Sequence, residues 1–147
     1  MNTLLDQLAA KAGYPLDGFP HARALGLRLH QDEEGALQVT VPYDERLIGD
    51  PATGVIHGGV VTTLLDTGCG MAAILRLRGE ASVATLDLRI DYMRPSKPGH
   101  AIHGACECYR LTRSVAFCRG VAYDESRDDP VATAAAAFMI TPLEAAS

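Results

Sequence analysis

Apolar side chains recur along this chain at two different periods, and the change between them divides it into elements. Between Gly58 and Leu77, the residues Val61, Leu64, Leu65, Gly68, Ala72 and Leu75 form one stripe at helical spacing. That stripe predicts a long helix lying on a sheet. After Gly79 the period drops to two. Leu86, Leu88, Ile90 and Tyr92 alternate with Thr85, Asp87, Arg89 and Asp91, the mark of a half-buried strand. Further strands are predicted over 23–31, 37–43, 100–111, 114–124 and 131–141, with turn residues between them as in antiparallel hairpins. The run Ala134–Ala137 favours helix by propensity alone. Val131, Phe138 and Ile140 around it argue instead for a strand whose small side chains let a helix come close. Leu4, Leu5 and Leu8 predict a short N-terminal helix over 3–12, followed by a loop over 13–20, and 44–56 also reads as loop. The order is α+β: an antiparallel sheet carrying a long helix on one face. With no repeat and no internal boundary, residues 1–147 read as a single domain.

The second face of the long helix carries the chemistry. Thr62, Thr63, Thr67, Gly70, Ala73 and Ile74 occupy it, where a solvated helix would be charged. Apart from the weak thiol of Cys69, the one ionisable side chain between Gly58 and Leu75 is Asp66. A helix without a charged face is buried all round, so Asp66 is expected on a face that a second surface covers. A carboxylate buried without a partner is costly, and chains tend to keep such groups for use. At the start of the helix stands His57-Gly58-Gly59. The first backbone N–H groups of a helix have no internal partner and sit at the positive end of its dipole. Glycine lets a ligand approach them, as an oxyanion hole for acyl transfer requires. Gly58 and Asp66 are eight residues apart, about 12 Å along a helix axis. One helix therefore cannot hold both against one reacting carbon. Two antiparallel copies about a two-fold axis can, which predicts an obligate homodimer with two shared sites.

Composition bounds the rest. The chain has 147 residues and a net charge of −5, with no basic stripe of the kind a nucleic-acid binder carries. No apolar run in the sequence approaches the ~20 residues of a membrane span, and Met1–Ala10 lacks the basic start of a secretory signal. A cytoplasmic location is expected, with neither nucleic acid nor membrane as partner. In that setting Cys69, Cys106, Cys108 and Cys118 are expected as buried free thiols, with no metal site.

The segment Val55-Ile56-His57-Gly58-Gly59-Val60-Val61-Thr62-Thr63-Leu64-Leu65-Asp66-Thr67, followed by Thr85-Leu86-Asp87-Leu88-Arg89-Ile90-Asp91-Tyr92-Met93-Arg94-Pro95, resembles the hotdog-fold acyl-CoA thioesterases of the PaaI type. The similarity runs from about Leu25 to Ile140. It implies a sheet wrapped around the long helix, dimers formed by joining two sheets edge to edge, and frequent pairing of dimers into tetramers. It implies hydrolysis of an acyl- or aryl-CoA thioester without a cofactor. In that case Asp66 acts as general base or nucleophile, Gly58 N–H polarises the carbonyl, His57 shapes the loop at the thioester, and the Thr85 hydroxyl positions water. Gly59 and Thr67 flank these groups as substrate contacts. Members often carry an Asn or Gln shortly before the His-Gly-Gly, where this chain has Asp50. An ionised Asp50 cannot donate to an oxyanion, so it is either protonated, turned away or a second acid. Arg94, Lys97 and Arg113 are candidate contacts for the phosphates of coenzyme A. Two other readings stay open: a non-catalytic acyl-CoA sensor, and a hotdog hydratase or dehydratase.

Overall fold

The computed structural model describes residues 19–34 and 36–143. The helix expected over 3–12 lies outside them. The first described element is a six-residue helix, α1 (Pro20–Leu25). Pro20 opens it, where a missing N–H costs nothing. Gly26 closes it at φ 66°, with its N–H on the Arg23 carbonyl at 3.0 Å. The strand expected from Arg23 is therefore corrected: its first residues are helical, and β1 covers only Arg28–Gln31. The Asp32 carboxylate accepts from the N–H groups of Glu34 and Ala36 and turns the chain into β2 (Leu37–Val41).

The segment expected as plain loop is more ordered than its breakers suggested. A 3-10 turn (Glu45–Leu47) leads into a two-stranded hairpin, β3 (Ile48–Asp50) and β4 (Val55–Ile56). The hairpin delivers the chain to the long helix α2 (Gly58–Arg76). Four strands follow: β5 (Ala81–Tyr92), β6 (Ile102–Leu111), β7 (Val115–Tyr123) and β8 (Ala132–Pro142). The alanine run is strand, as its neighbours required. The main sheet has the order β1-β2-β6-β7-β8-β5 with every neighbouring pair antiparallel. It wraps around α2, with β1 and β5 at its edges.

Leu64 and Leu65 are fully buried against Val39, Val41, Ile102 and Cys118. Glycines, more than the alanine strand, set the depth of this contact. A Cβ at Gly104 would stand 2.6 Å from both Leu64 and Val39, and one at Gly68 would stand 2.6 Å from Cys106 Sγ. All four cysteines are buried free thiols, Cys69 on α2 and Cys106, Cys108 and Cys118 on β6 and β7. The hydrogen bond with Cys106, then burial, pushes the Cys69 thiol far up, and burial does the same to Cys118.

Two expectations change. By length and composition α2 does suffice to cross a bilayer, contrary to the sequence reading, yet here it is the rod inside the sheet. The alternation in β5 is broken by a bulge between Thr85 and Asp87, which pair with the adjacent Phe138 and Ala137. The extra residue, Leu86, is 56% exposed, although periodicity placed it in the buried set. A bulge reverses which face each later residue takes. Val83 and Thr85 before it, and Leu88 and Ile90 after it, thus all turn toward the helix side.

Candidate active site

The start of α2 is built by three local contacts. The His57 N–H donates to the Leu47 carbonyl at 2.9 Å, which ties the helix to the 3-10 turn before it. His57 Nδ1 accepts from Gly59 N–H at 2.8 Å, so a neutral ring carries its proton on Nε2. The His57 carbonyl accepts from Val60 N–H at 3.0 Å. On the far side of Gly58, the Tyr92 hydroxyl donates to the Gly58 carbonyl at 3.0 Å and is in short contact with the Thr62 hydroxyl. Both peptide planes flanking Gly58 are held, and the Gly58 N–H has no partner among the described residues. Gly49 permits this arrangement. A Cβ there would lie 2.7 Å from the Cα of His57, so only a glycine lets β3 pass so close.

Eight residues along, Asp66 is half-buried and Thr85 Oγ1 donates to its Oδ1 at 2.9 Å. The β5 bulge makes this contact possible by turning Thr85 inward. The covering surface expected over Asp66 is only partial within one chain. A cleft of about 330 Å³ opens along α2 there, walled by Phe19, His21 and Ala22 at α1 with Leu27 and Leu29 of the β1 segment, and by β5 with Phe138. Thr63, Asp66, Thr67 and Thr85 make one end polar, and Gly70, Met71, Ile74 and Val83 make the other apolar. Gly58 borders a separate cleft of about 380 Å³ with Val61, Tyr92 and Met93. The two groups sought for one carbonyl thus open into different clefts of the same chain, about 12 Å apart along the helix.

The remaining predicted residues divide. Thr67 lies beside Asp66 in the first cleft. Gly59 N–H is given to His57 and is not a free donor. Asp50 is turned away: its carboxylate accepts from Ala52 N–H at 3.0 Å and from the Thr53 hydroxyl at 2.9 Å, closing its own turn.

Arg94 is also committed elsewhere. Its two terminal nitrogens donate to both oxygens of Asp124 at 2.8 and 2.6 Å, and Nε lies 3.2 Å from Asp129. The Asp124 side chain is fully buried and also accepts from the N–H groups of Lys97 and Glu125. These partners, Arg94 foremost, hold its carboxyl well below the usual range. Arg94 is a structural clamp on the loop after Tyr92, not a free phosphate contact. Lys97 pairs with Glu125 on the surface at 2.5 Å. Arg113 sits in the exposed turn between β6 and β7, beyond Cys108, whose carbonyl takes the Arg76 side chain at the C-terminal end of α2. Arg94 and Lys97 meet at the Asp124-Glu125 corner, and Arg113 lies apart from them in the β6–β7 turn.

Sequence reasoning missed Tyr92 and Asp124 as parts of this region. Tyr92 was read as an apolar position in β5 and as one residue of the family-like segment, and neither reading gave its hydroxyl a role. Asp124 stands 30 residues from Arg94, and nothing local marks their pairing.

Residues 53–131 match the family model described as the Thioesterase superfamily. The chain is 29% identical over 135 residues to the medium/long-chain acyl-CoA thioesterase YigI of Salmonella typhimurium, covering 82% of this chain and 85% of that protein. It is 37% identical over 76 residues to a protein of Halobacterium salinarum named as an esterase, spanning only half the length of each. The crystal structure of a Pseudomonas aeruginosa protein superposes with a TM-score of 0.78 at 40% identity, covering 92% of this chain and 98% of that one. The chain belongs to the thioesterase superfamily, has its helix-wrapped hotdog architecture, and by that membership is assigned to thioester hydrolysis.

Proposed function

We propose that this protein hydrolyses acyl-CoA thioesters at two equivalent sites, each shared between the subunits of a homodimer. The observation that carries this reading is the Asp66–Thr85 pair, set at the polar mouth of a cleft that becomes apolar beyond it. The substrate class is supported by the acyl-CoA thioesterase named among the relatives. The dimer is supported by two features. β5 is a twelve-residue edge strand with nothing paired on its outer side among the described residues, and it exposes Leu86 and Tyr92. The catalytic groups also lie too far apart to cooperate within one chain. Antiparallel pairing of two β5 strands centred between Leu88 and Arg89 sets Tyr92 of one copy beside Thr85 of the other. Gly58 of the first then faces Asp66 of the second.

In this site the thioester carbonyl oxygen accepts from the free Gly58 N–H. Thr85 occupies one oxygen of Asp66 and leaves the other to take a proton from water. The water oxygen bonds to the carbonyl carbon, and the negative charge moves to the carbonyl oxygen, where the Gly58 N–H stabilises it. Collapse re-forms the carbonyl and breaks the carbon–sulfur bond. The leaving thiolate regains the proton held by Asp66, giving free acid and thiol. Thr67 lies beside the reacting group and His57 holds the turn that aims Gly58.

The test is thiol release from a panel of acyl- and aryl-CoA esters, comparing wild type with Asp66→Asn. The expected outcome is hydrolysis by wild type and a kcat lower by about 10²–10⁴-fold in the variant, with both proteins dimeric in sedimentation. A variant that keeps most of its turnover removes Asp66 from the mechanism. Ester binding without thiol release by wild type would make the protein a sensor instead.

A further inference from the structure

The cleft beside Asp66 has a direction. Thr63, Asp66, Thr67, Gly70, Met71 and Ile74 follow one another on a single face of α2, at i, i+3, i+4, i+7, i+8 and i+11. Its polar groups gather at the Asp66 end, where Thr85 closes the β5 wall. From Gly70 onward the helix, Val83 and the ring of Phe138 offer no charge and no hydrogen-bonding side chain. Gly70 fixes the depth of this half. A Cβ there would stand 3.3 Å from the ring edge of Phe138, itself buried in the core, so a larger side chain must either displace the ring or fill the cleft.

We infer that this apolar half is a chain-length ruler for an unbranched aliphatic acyl group of about eight to ten carbons, with Gly70 and Ile74 setting its reach. The inference rests on the thioesterase reading above, and the length comes from the geometry of α2. Asp66 to Ile74 is eight residues, about 12 Å along the axis. An extended zigzag chain advances about 1.2 Å per bond, judging from the ~3.6 Å that three backbone bonds span per residue. Roughly ten bonds fit between the carboxylate and Ile74. An aryl ring fills only the part next to Gly70 and leaves Met71 and Ile74 uncovered. A chain ending in a carboxylate or hydroxyl finds no hydrogen-bonding side chain on Met71, Ile74, Val83 or Phe138, and His21 is the one such group on the facing wall.

The experiment measures kcat/KM for straight-chain acyl-CoA esters from two to sixteen carbons, together with phenylacetyl-CoA. The expected profile rises about two- to fourfold per added methylene, as the burial of apolar area dictates, and levels off at eight to ten carbons. Gly70→Val is expected to lower the octanoyl-to-butyryl ratio of kcat/KM at least tenfold. Ile74→Ala is expected to move the plateau to longer chains. A ratio is read because partial unfolding of either variant lowers both rates together. Binding is measured in parallel by calorimetry on Asp66→Asn, where octanoyl-CoA is expected to bind at least tenfold more tightly than butyryl-CoA. A flat profile, a preference for phenylacetyl-CoA, or a ratio that both variants leave in place overturns the ruler. Absence of thiol release from every ester by wild type sinks the hydrolytic reading alone, and the calorimetric ratio then decides whether the cleft measures chain length.

Discussion

Replacing Asp124 by Asn removes one charge and almost no volume, and it tests whether the loop beside the helix start is held electrostatically. In the native chain the fully buried Asp124 carboxylate accepts four hydrogen bonds, two from Arg94 and one each from the N–H groups of Lys97 and Glu125. The amide of Asn keeps one acceptor oxygen and turns an NH₂ toward donors. Arg94 loses its charged buried partner and one of its two side-chain acceptors there, keeping the Pro95 carbonyl and Asp129. Breaking a buried pair by removing one partner costs about 3–5 kcal/mol. The Arg94 side chain retains 22% exposure, so water relieves part of that cost and the lower end applies, about 3 kcal/mol. For a chain of this size that is a drop in Tm of about 6–12 °C. Urea and thermal unfolding of both proteins at pH 7 give the difference directly. Its pH dependence has a fixed sign. The Asp124 carboxyl is depressed in the folded state, so its contribution is complete above the ordinary carboxyl pKa of about 3.9. It shrinks as pH falls below that value and vanishes once the folded group is itself protonated. The gap between wild type and Asp124→Asn should therefore close on going from pH 5 toward pH 2. A gap under 1 kcal/mol at pH 7, or one that stays constant down to acid, would refute the clamp.

Two further substitutions probe the helix start and the sheet edge. Tyr92→Phe deletes the hydroxyl that holds the Gly58 carbonyl while keeping the ring; losing about 1 kcal/mol of positioning predicts a five- to tenfold fall in kcat with KM within twofold, and a loss carried by KM instead would place Tyr92 in substrate binding. Leu86→Lys puts a charge on the exposed bulge of the β5 edge; sedimentation should then give a monomer and the thiol-release rate should fall at least a hundredfold, whereas an active monomer would end the shared-site account.

Most of the frame was legible because long periodic segments bury one face, and the chain states that face in its own spacing. α2 and the four strands after it follow this rule. What escaped notice depended on single residues that change parity or pair at a distance. The bulge at Leu86 follows no composition rule, yet it alone turns Thr85 toward Asp66. α1 was hidden because Pro20 was read as the end of a loop and Gly26 as part of a strand, when they are the start and stop of one short helix. Asp50 illustrates the opposite error. Position relative to the His-Gly-Gly suggested a contact, but the Pro51-Ala52-Thr53 turn that follows supplies two donors and draws the carboxylate to itself.

The uncharged second face of α2 admits a single explanation only when its two ends are separated. Near Asp66 the face is polar and open, as the proposed dimer requires if a carbonyl and a water are to reach it beside a neighbouring copy. From Gly70 onward it is apolar and walled by the edges of its own sheet, because what lies there is hydrocarbon. A face covered by a partner along its whole length would need no cleft, and a face built only for solvent would carry charge where Gly70, Met71 and Ile74 stand. The single carboxylate marks the boundary between the two environments, where a thioester, polar at its carbonyl and apolar beyond, is matched at both ends.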